Sequence, residues 1–306
     1  MAAIVVAGLG KCHGALRAVD DLSFTVAEGE VLALLGPNGA GKTTTVEILE
    51  GYRERTSGEV SVLGFDPATG GRAYRERIGV VLQSAGFDEQ LTVRELVRLH
   101  ASLYPRAYHP DDVIDLVGLS DKRTVRIATL SGGQRRRLDL ALGLVGVPEL
   151  LFLDEPTTGF DPGARHRAWD LVDQLRELGT TILLTTHYIE EAERLADRVA
   201  VMRAGRLVAL GRPGELGAGR GAVSTLRFRL PAGASAATLP ALSAPLRVTD
   251  GSVEVRTAAP TRDTYTLTGW ALERGLDLPA LTVTRPTLEE VYLRLVGSTA
   301  EGSDEH

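Results

Sequence analysis

Four apolar runs in the first part of the chain each lead into a glycine or a polar residue. Apolar runs of this length are typical of strands buried on both faces of a parallel sheet. Amphipathic helical stretches separate them, so the pattern predicts an α/β domain. The residues that follow the runs then share the carboxyl edge of the sheet, where open α/β sheets bind ligands. The runs are Val31–Leu35 before Gly36, Val80–Leu82 before Gln83, Leu150–Leu153 before Asp154, and Ile182–Leu184 before two threonines and His187.

Residues 86–130 interrupt this alternation with helical spacing, as in Leu91–Leu99 and Val113–Val117. We expect a helical subdomain, over about residues 86–145, inserted in an α/β domain of residues 1–217. The apolar start of the chain, Met1–Gly10, lacks the preceding basic segment of a signal peptide. It is better explained as a first β-strand.

The composition changes at the glycine-rich segment Gly217–Gly221, which we interpret as a linker. Beyond it, alternation around Leu226–Leu230, an Asp250-Gly251 hairpin signal and a short strand at Leu281–Val283 predict a sheet. Helices are expected around Thr238–Leu242 and Asp263–Glu273, and a last helix is capped by Thr287 and Glu290. The prediction is a small α+β domain of residues 218–297, with a ferredoxin-like βαββαβ order, and a disordered tail at 298–306.

Composition limits the classes of function. The 306 residues are 43% hydrophobic and 24% charged, with a net charge of −6, which argues against a nucleic-acid binder. The single cysteine, Cys12, excludes a disulfide within the chain and suits a reducing compartment. No run approaches the roughly 18–20 apolar residues that span a bilayer, so we expect any membrane role to go through a partner.

The segment from Gly36 to Thr43 fits the phosphate-binding pattern G-x-x-x-x-G-K-[ST], after a predicted strand and before a predicted helix. Glycines let backbone N–H groups face the phosphates, and the helix N-terminus adds partial positive charge. Lys42 would bind the β- and γ-phosphate oxygens, and the Thr43 hydroxyl would bind Mg²⁺. The nucleotide-binding residues expected here are Gly36, Pro37, Asn38, Gly39, Ala40, Gly41, Lys42, Thr43 and Thr44.

Two acids end the third apolar run. Asp154 is expected to contribute to the Mg²⁺ site, directly or through water. Glu155 is placed to orient a water molecule for attack on the γ-phosphate, which makes it the candidate base.

A second candidate anion site lies at the start of a long predicted helix. Ser131 and Gln134 have capping-box spacing, and two glycines, Gly132 and Gly133, leave the helix N-terminus open. This tip need not face the phosphate loop of its own chain, so it can contact nucleotide in trans. The arginines that follow, Arg135–Arg137, are interpreted as a solvated helix face.

With these motifs in this order, residues 3–215 resemble the ABC ATPase family. The resemblance implies ATP and Mg²⁺ as cofactors, Gln83 as the Q-loop glutamine near the Mg²⁺ site, and Leu130–Gln134 as the signature. It also implies Asp161 in the D-loop and His187 as the switch histidine. His13 stands where the family usually has an aromatic residue that stacks on adenine, and Phe160 where leucine is commoner.

The resemblance is nearer to the drug-resistance branch, through Ser131–Leu138, Thr186–Ala192 and Pro286–Tyr292. It implies an exporter ATPase that works as a homodimer at the cytoplasmic face of the membrane, under a separate transmembrane permease that contacts residues near 84–110. Two alternatives remain open at this point. An importer ATPase would use the same chemistry, and a nucleic-acid-linked ABC ATPase would share the phosphate loop and the signature.

Overall fold

The computed structural model describes residues 1–81, 86, 88–216, 223–231 and 234–297 of the chain. Two compact units are present, Met1–Pro213 and Gly214–His306. The predicted linker at 217–221 and the predicted tail at 298–306 lie outside the described residues. The domain boundary within that linker therefore stays a prediction.

The first unit alternates strands and helices along most of its length. Its elements are β1 (Ala2–His13), β2 (Leu16–Ala27), β3 (Val31–Leu35), α1 (Lys42–Glu50), β4 (Ser57–Val62), α2 (Gly71–Arg75), β5 (Ile78–Val81), α3 (Val93–Ala101), α4 (Pro110–Leu116), α5 (Gly132–Leu144), β6 (Leu150–Asp154), α6 (Pro162–Glu177), β7 (Thr181–Thr186), α7 (Ile189–Leu195), β8 (Arg198–Arg203) and β9 (Arg206–Gly211). A short helix, α8 (Pro213–Leu216), follows them.

The main sheet contains all four predicted strands. Its order is β5-β6-β7-β3-β8-β9, with the first five strands parallel and β9 antiparallel. The α/β prediction is therefore confirmed. Because β6, β7 and β3 are neighbours, the residues that follow them meet at one edge: Glu155, His187 and the loop that begins at Gly36.

A second sheet, with the order β2-β1-β4, is antiparallel and was not predicted beyond its first strand. Register shifts along β1 break the alternation of apolar and polar residues, which hides the strand pairing in the sequence. Side chains of both sheets share one core, in which Ile4 and Leu22 pack with Leu34, Phe152 and Ile48 of α1. Helix α1 is thereby held against both sheets.

Helices α3, α4 and α5 form the helical region between β5 and β6. Thr92 caps α3 through a reciprocal bond with Glu95, and Leu96, Val97 and Ile114 are buried. The helical spacing read in this part of the sequence is confirmed.

The second unit is a four-stranded antiparallel sheet with two helices. Its elements are β10 (Ser224–Arg229), β11 (Leu246–Thr249), β12 (Ser252–Thr257), α9 (Pro260–Glu273), β13 (Thr282–Thr284) and α10 (Leu288–Gly297). The order β11-β12-β10-β13 is that of a split βαβ arrangement. Leu226 and Phe228 of β10 pack with Leu267 and Trp270 of α9.

The helix predicted around Thr238–Leu242 is wrong, because this segment holds only a 3₁₀ turn at Ala236–Thr238. Pro240 and Pro245 explain the difference, since proline lacks an N–H and disfavours helical geometry in the residue before it. The hairpin signal is confirmed. Asp250 and Gly251 have φ of 49° and 75°, as the tight turn between β11 and β12 requires.

Candidate functional site

The loop after β3 approaches other backbone so closely that it requires glycine. Gly41, at the start of α1, has a φ of 96°, and a Cβ added there would lie 2.5 Å from the carbonyl oxygen of Ala18. Among the described residues, no side chain caps the N-terminus of α1. The N–H groups of its first turn are therefore free to face an anion.

Lys42 lies inside the curve of this loop. Its Nζ donates to the carbonyl oxygens of Gly36 at 2.7 Å and Pro37 at 3.2 Å. Burial lowers the pKa of the Lys42 ammonium, while the charges of Glu155 and Asp154 oppose that shift. The loop thus holds a buried cation, which suits a phosphate.

A cavity of about 880 Å³ lies over the loop. It is bordered by the start of α1, by the ends of β6 and β7, and by the turn that contains His13. Gly36, Pro37, Asp154, the signature residues and Asp161 are not on its wall, and Gln83 lies outside the described residues. The predicted site residues on the wall are His13, Asn38, Gly39, Ala40, Gly41, Lys42, Thr43, Thr44, Glu155 and His187.

Asp154 lies behind this wall, at the end of β6, and is 7% exposed. Its carboxylate accepts a hydrogen bond from Thr185 Oγ1 at 2.5 Å. Burial raises the pKa of Asp154, and the Thr185 hydroxyl opposes this shift. A cation bound in front of Asp154 would favour its ionised form in the same way.

Glu155 adopts a left-handed backbone conformation, with a φ of 47°, which is unusual for a residue other than glycine. Its N–H donates to the carbonyl and hydroxyl oxygens of Thr185, at 3.2 and 3.0 Å. Its carboxylate accepts from Thr158 Oγ1 at 3.2 Å and lies 3.2 Å from His187 Nδ1. The turn therefore directs the Glu155 carboxylate to the cavity, between two groups that can orient it.

Arg136 is not on a solvated helix face, so that prediction is wrong for this residue. It is 7% exposed, and its guanidinium donates to the carbonyl oxygens of Asp154, Glu155 and Pro156 at 2.7, 3.2 and 3.3 Å. The sequence held a signal for this, because Arg136 is four residues before the buried Leu140 and so lies on the inner face of α5.

The signature segment forms the cap of α5. The Ser131 hydroxyl accepts from Gln134 N at 3.3 Å, and the Gln134 side chain accepts from Ser131 N at 2.9 Å. A Cβ at Gly132 or Gly133 would meet no described atom within 4 Å. Packing within the chain therefore does not require glycine at either position. Asp161 caps α6 in a similar way, accepting from Ala164 N at 2.8 Å.

His13 lies exposed at the rim of the cavity, and its Nε2 is 3.4 Å from Arg53 Nη1. Arg17, which the sequence analysis did not select, lines the same rim and forms an ion pair with Asp20. Thr185 was also missed, since a threonine at the end of a buried strand carries little signal in a sequence, whereas the resemblance places Thr158 in the D-loop with Asp161.

Known proteins that are similar to this chain include ATP-binding subunits of transporters. A family model described as ABC transporter matches residues 19–158. The daunorubicin resistance ATP-binding protein DrrA3 of Streptomyces coeruleorubidus is 40% identical over 308 residues, covering 96% of each chain. The Nod factor export ATP-binding protein I of Rhizobium johnstonii is 44% identical over 219 residues, or 70% of each chain.

The chain belongs to the ABC transporter ATP-binding family. A solved structure of an ATP-binding subunit of an ABC transporter has a TM-score of 0.64 at 29% identity, over 70% of this chain and 91% of that one. A second model, an ABC transporter C-terminal domain, matches residues 224–287 in the second unit. As a member of the ABC family, the chain binds nucleotide and is an ATPase.

Proposed function

We propose that this chain is the ATP-hydrolysing subunit of an ABC exporter, acting as a head-to-tail homodimer at the cytoplasmic face of a membrane, below a separate permease. One observation carries the proposal. The open N-terminus of α5, with Ser131 exposed and free space around Gly132 and Gly133, is not on the wall of the cavity over Lys42. Glycines that the chain's own packing does not need are explained by the close approach of a ligand held by a second copy.

In such a dimer each ATP would lie between the phosphate loop of one copy and the signature of the other. Lys42 and Thr43 would face Ser131 and Gly133 of the second copy across the phosphates. His13 would lie against the adenine base. Two triphosphates would then bridge the copies, and hydrolysis would remove the bridge. Closing and opening of the dimer would follow the nucleotide cycle.

The donor set fits Mg²⁺. The Thr43 hydroxyl is exposed on the cavity wall and the Asp154 carboxylate lies behind it. Among the described residues there is no group of three acids, histidines or cysteines that could hold a metal. Mg²⁺ usually takes one or two protein ligands together with phosphate and water, and when bound it would neutralise charge on the phosphates. The role of Gln83 stays a prediction.

The chemistry assigned to the chain is the positioning of water and charge. Glu155 would accept a hydrogen bond from the attacking water. His187 Nδ1, which lies 3.2 Å from the Glu155 carboxylate, would hold that carboxylate in place. Lys42 would stabilise negative charge on the β- and γ-phosphates.

Export as the direction of transport is supported by the relatives, which are named for drug resistance and Nod factor export. None of these names supports the importer alternative. The nucleic-acid-linked alternative gains no support from them either. No helix among the described residues is long and apolar enough to cross a membrane. The permease would contact the helical region near residues 84–110.

The test uses inverted membrane vesicles that contain the chain and its permease. We expect ATP-dependent accumulation of an anthracycline, followed by its fluorescence, in wild-type vesicles and none in vesicles with Glu155→Gln. ATP hydrolysis without movement of any anthracycline would contradict drug export while leaving the ATPase assignment intact.

A further inference from the structure

The imidazole of His187 is only partly buried, so general packing does not fix its rotation. The side chain is 33% exposed. One ring atom has a defined partner, since Nδ1 lies 3.2 Å from Glu155 Oε1. The second side-chain torsion of a histidine has a broad energy minimum, so one contact at one atom leaves the ring free to tilt. A His187 that holds the Glu155 carboxylate in place therefore needs a second contact on its ring.

Tyr188 makes that second contact. The centroids of the His187 and Tyr188 rings are 4.1 Å apart, with 40° between the ring planes. Rings this close attract each other through dispersion and through their quadrupoles. The backbone of Tyr188 is itself held, because its N–H donates to Thr186 Oγ1 at 2.9 Å and its carbonyl accepts from Ala192 N at 3.3 Å. The tyrosine ring is thus a fixed support for the imidazole.

Arg165, near the start of α6, contacts the same tyrosine ring. Its Cζ lies 4.8 Å from the centroid of the Tyr188 ring. A guanidinium stacks well on an aromatic face, because the group is weakly hydrated and the face of the ring is negative. The Arg165 Nε is buried without a hydrogen-bond partner among the described residues, and the ion pair of this side chain with Glu190 is 3.9 Å long. The contact with the ring is therefore the best-formed side-chain contact that Arg165 makes there.

The two helices that carry these residues are also joined to each other. Successive side chains of a strand point to opposite faces, so the contact between His187 and Tyr188 depends on the turn between β7 and α7. Glu191 of α7 is fully buried and anchors this turn. Its carboxylate accepts from Thr157 Oγ1 at 2.8 Å and from Trp169 Nε1 of α6 at 3.2 Å. The tie between α6 and α7 keeps Arg165 and Tyr188 in contact.

We propose that Tyr188 is a positioning residue for His187, and that Arg165 holds the Tyr188 ring in place for it. The inference rests on the function proposed above, because it needs His187 to orient the Glu155 carboxylate. Neither Tyr188 nor Arg165 is on the wall of the nucleotide cavity, so each would act through the imidazole. The Arg165 N–H donates to the carbonyl oxygen of Asp161, the cap of α6, at 3.0 Å. The arrangement thereby ties the position of His187 to the start of α6.

The experiment measures ATP hydrolysis and equilibrium ATP binding by the full-length chain. Tyr188→Leu removes the ring and Tyr188→Phe keeps it, while Tyr265→Leu is the matched control, at an exposed tyrosine of the second unit. We expect Tyr188→Leu to lower kcat about tenfold with KM for ATP within about twofold, because the phosphate loop is unchanged. Tyr188→Phe should keep kcat within about twofold of the wild type, since the ring makes both contacts. Tyr265→Leu should change neither constant.

The double variant His187→Ala with Tyr188→Leu separates positioning from packing. His187→Ala alone should lower the single-turnover rate of hydrolysis about 10²-fold or more. If Tyr188 acts through the imidazole, adding Tyr188→Leu should lower that rate no further. A role in packing alone predicts that the loss caused by Tyr188→Leu recurs in the His187→Ala background, and this result would overturn the proposal.

Arg165→Gln tests the arrangement with the tyrosine ring in place, in case Tyr188→Leu does not fold and so binds no ATP. We expect kcat to fall about threefold in Arg165→Gln and less in Arg165→Lys, which keeps the cation. Wild-type kcat in Arg165→Gln, or in a folded Tyr188→Leu, would also overturn the proposal. If His187→Ala hydrolyses ATP as fast as the wild type, the role proposed for His187 fails as well. An impaired His187→Ala beside an unimpaired Tyr188→Leu leaves that role standing.

Discussion

The Nδ1 atom of His187 lies 3.2 Å from Oε1 of Glu155, although the two residues are 32 positions apart in the chain. They follow neighbouring parallel strands, β7 and β6. Glu155 reaches His187 from a left-handed backbone conformation, and Thr185 binds its N–H. The pair therefore depends on the sheet edge and not on local sequence, and it supports the proposal that these residues position water together.

Glu155→Gln should keep the shape of the side chain and its hydrogen bond from Thr158, but it removes the carboxylate that would orient water. We expect kcat to fall about 10²–10⁴-fold, with ATP binding preserved and a nucleotide-bound dimer accumulating. Steady-state hydrolysis, ATP titration and size-exclusion chromatography with ATP check this result. Lys42→Ala should instead weaken ATP binding itself. Near-normal turnover in Glu155→Gln would remove Glu155 from the proposed role.

Arg136 binds three successive carbonyl oxygens at the turn that carries Glu155. Arg136→Lys keeps the charge but cannot reproduce the fork of guanidinium donors. We expect kcat to fall on the order of 10–100-fold, with KM for ATP within about twofold. The reason is that the Glu155 carboxylate is displaced while the phosphate loop is unchanged. Arg137→Lys is the matched control, because Arg137 is only half-buried and donates to the Gly118 carbonyl oxygen instead of to this turn. A rise in KM with unchanged kcat would contradict this account.

His13 is at the rim of the cavity, where a base would stack. His13→Tyr gives a larger ring, and we expect ATP affinity to rise by about 0.5–1.5 kcal/mol, or roughly two- to tenfold in Kd. His13→Ala should weaken binding. Equilibrium titration with ATP and GTP measures both effects. Unchanged or weaker binding by His13→Tyr would show that residue 13 does not lie against the base.

Glu50 gives stability a predictable pH dependence. Burial raises its pKa in the folded state from the ordinary 4.5 to about 8, so between these values the folded chain holds a proton that the unfolded chain has released. The stability contributed by Glu50 is present below pH 4.5 and is lost as the pH rises to 8. Glutamine resembles the protonated acid. The Glu50→Gln variant should therefore be as stable as the wild type near pH 5 and more stable than the wild type near pH 8.5.

Urea unfolding measures this difference in a Trp270→Phe background, in which Trp169 reports on the first unit alone. Asp139 titrates in the same direction in both proteins and cancels in the comparison. A stability difference that does not change with pH would contradict a buried, titrating Glu50.

The sequence predicted the sheet edge because apolar runs lead to Gly36, Asp154 and, after two threonines, His187, and continuous burial leaves a clear pattern. It did not predict the antiparallel sheet, since the register shifts of β1 break its alternation. Arg136 was misread for a different reason. Its position four residues before Leu140 indicates the inner face of α5, but a run of three arginines suggests a solvated face.

In the C-terminal unit, too, some elements could be predicted from the sequence and others could not. The signals for its strands and for the Asp250-Gly251 turn are local, and they were read correctly. The pattern around Thr238–Leu242 is also local, but Pro240 prevents the helix that the apolar spacing suggests. The free space around Gly132 and Gly133 could be seen only in three dimensions, because two glycines beside a helix cap read equally well as a flexible turn.

The measurement that tests the central claim most directly mixes two variants that are each inactive alone, Lys42→Ala and Ser131→Arg. In a head-to-tail mixed dimer one site carries both lesions and the other carries neither, so the shared-site account predicts that ATPase activity returns on mixing. Circular dichroism confirms that Ser131→Arg folds without its helix cap, and energy transfer between labelled chains confirms that subunits exchange. If subunits exchange and mixing restores no activity, each site is built within a single chain and the shared-site account is contradicted.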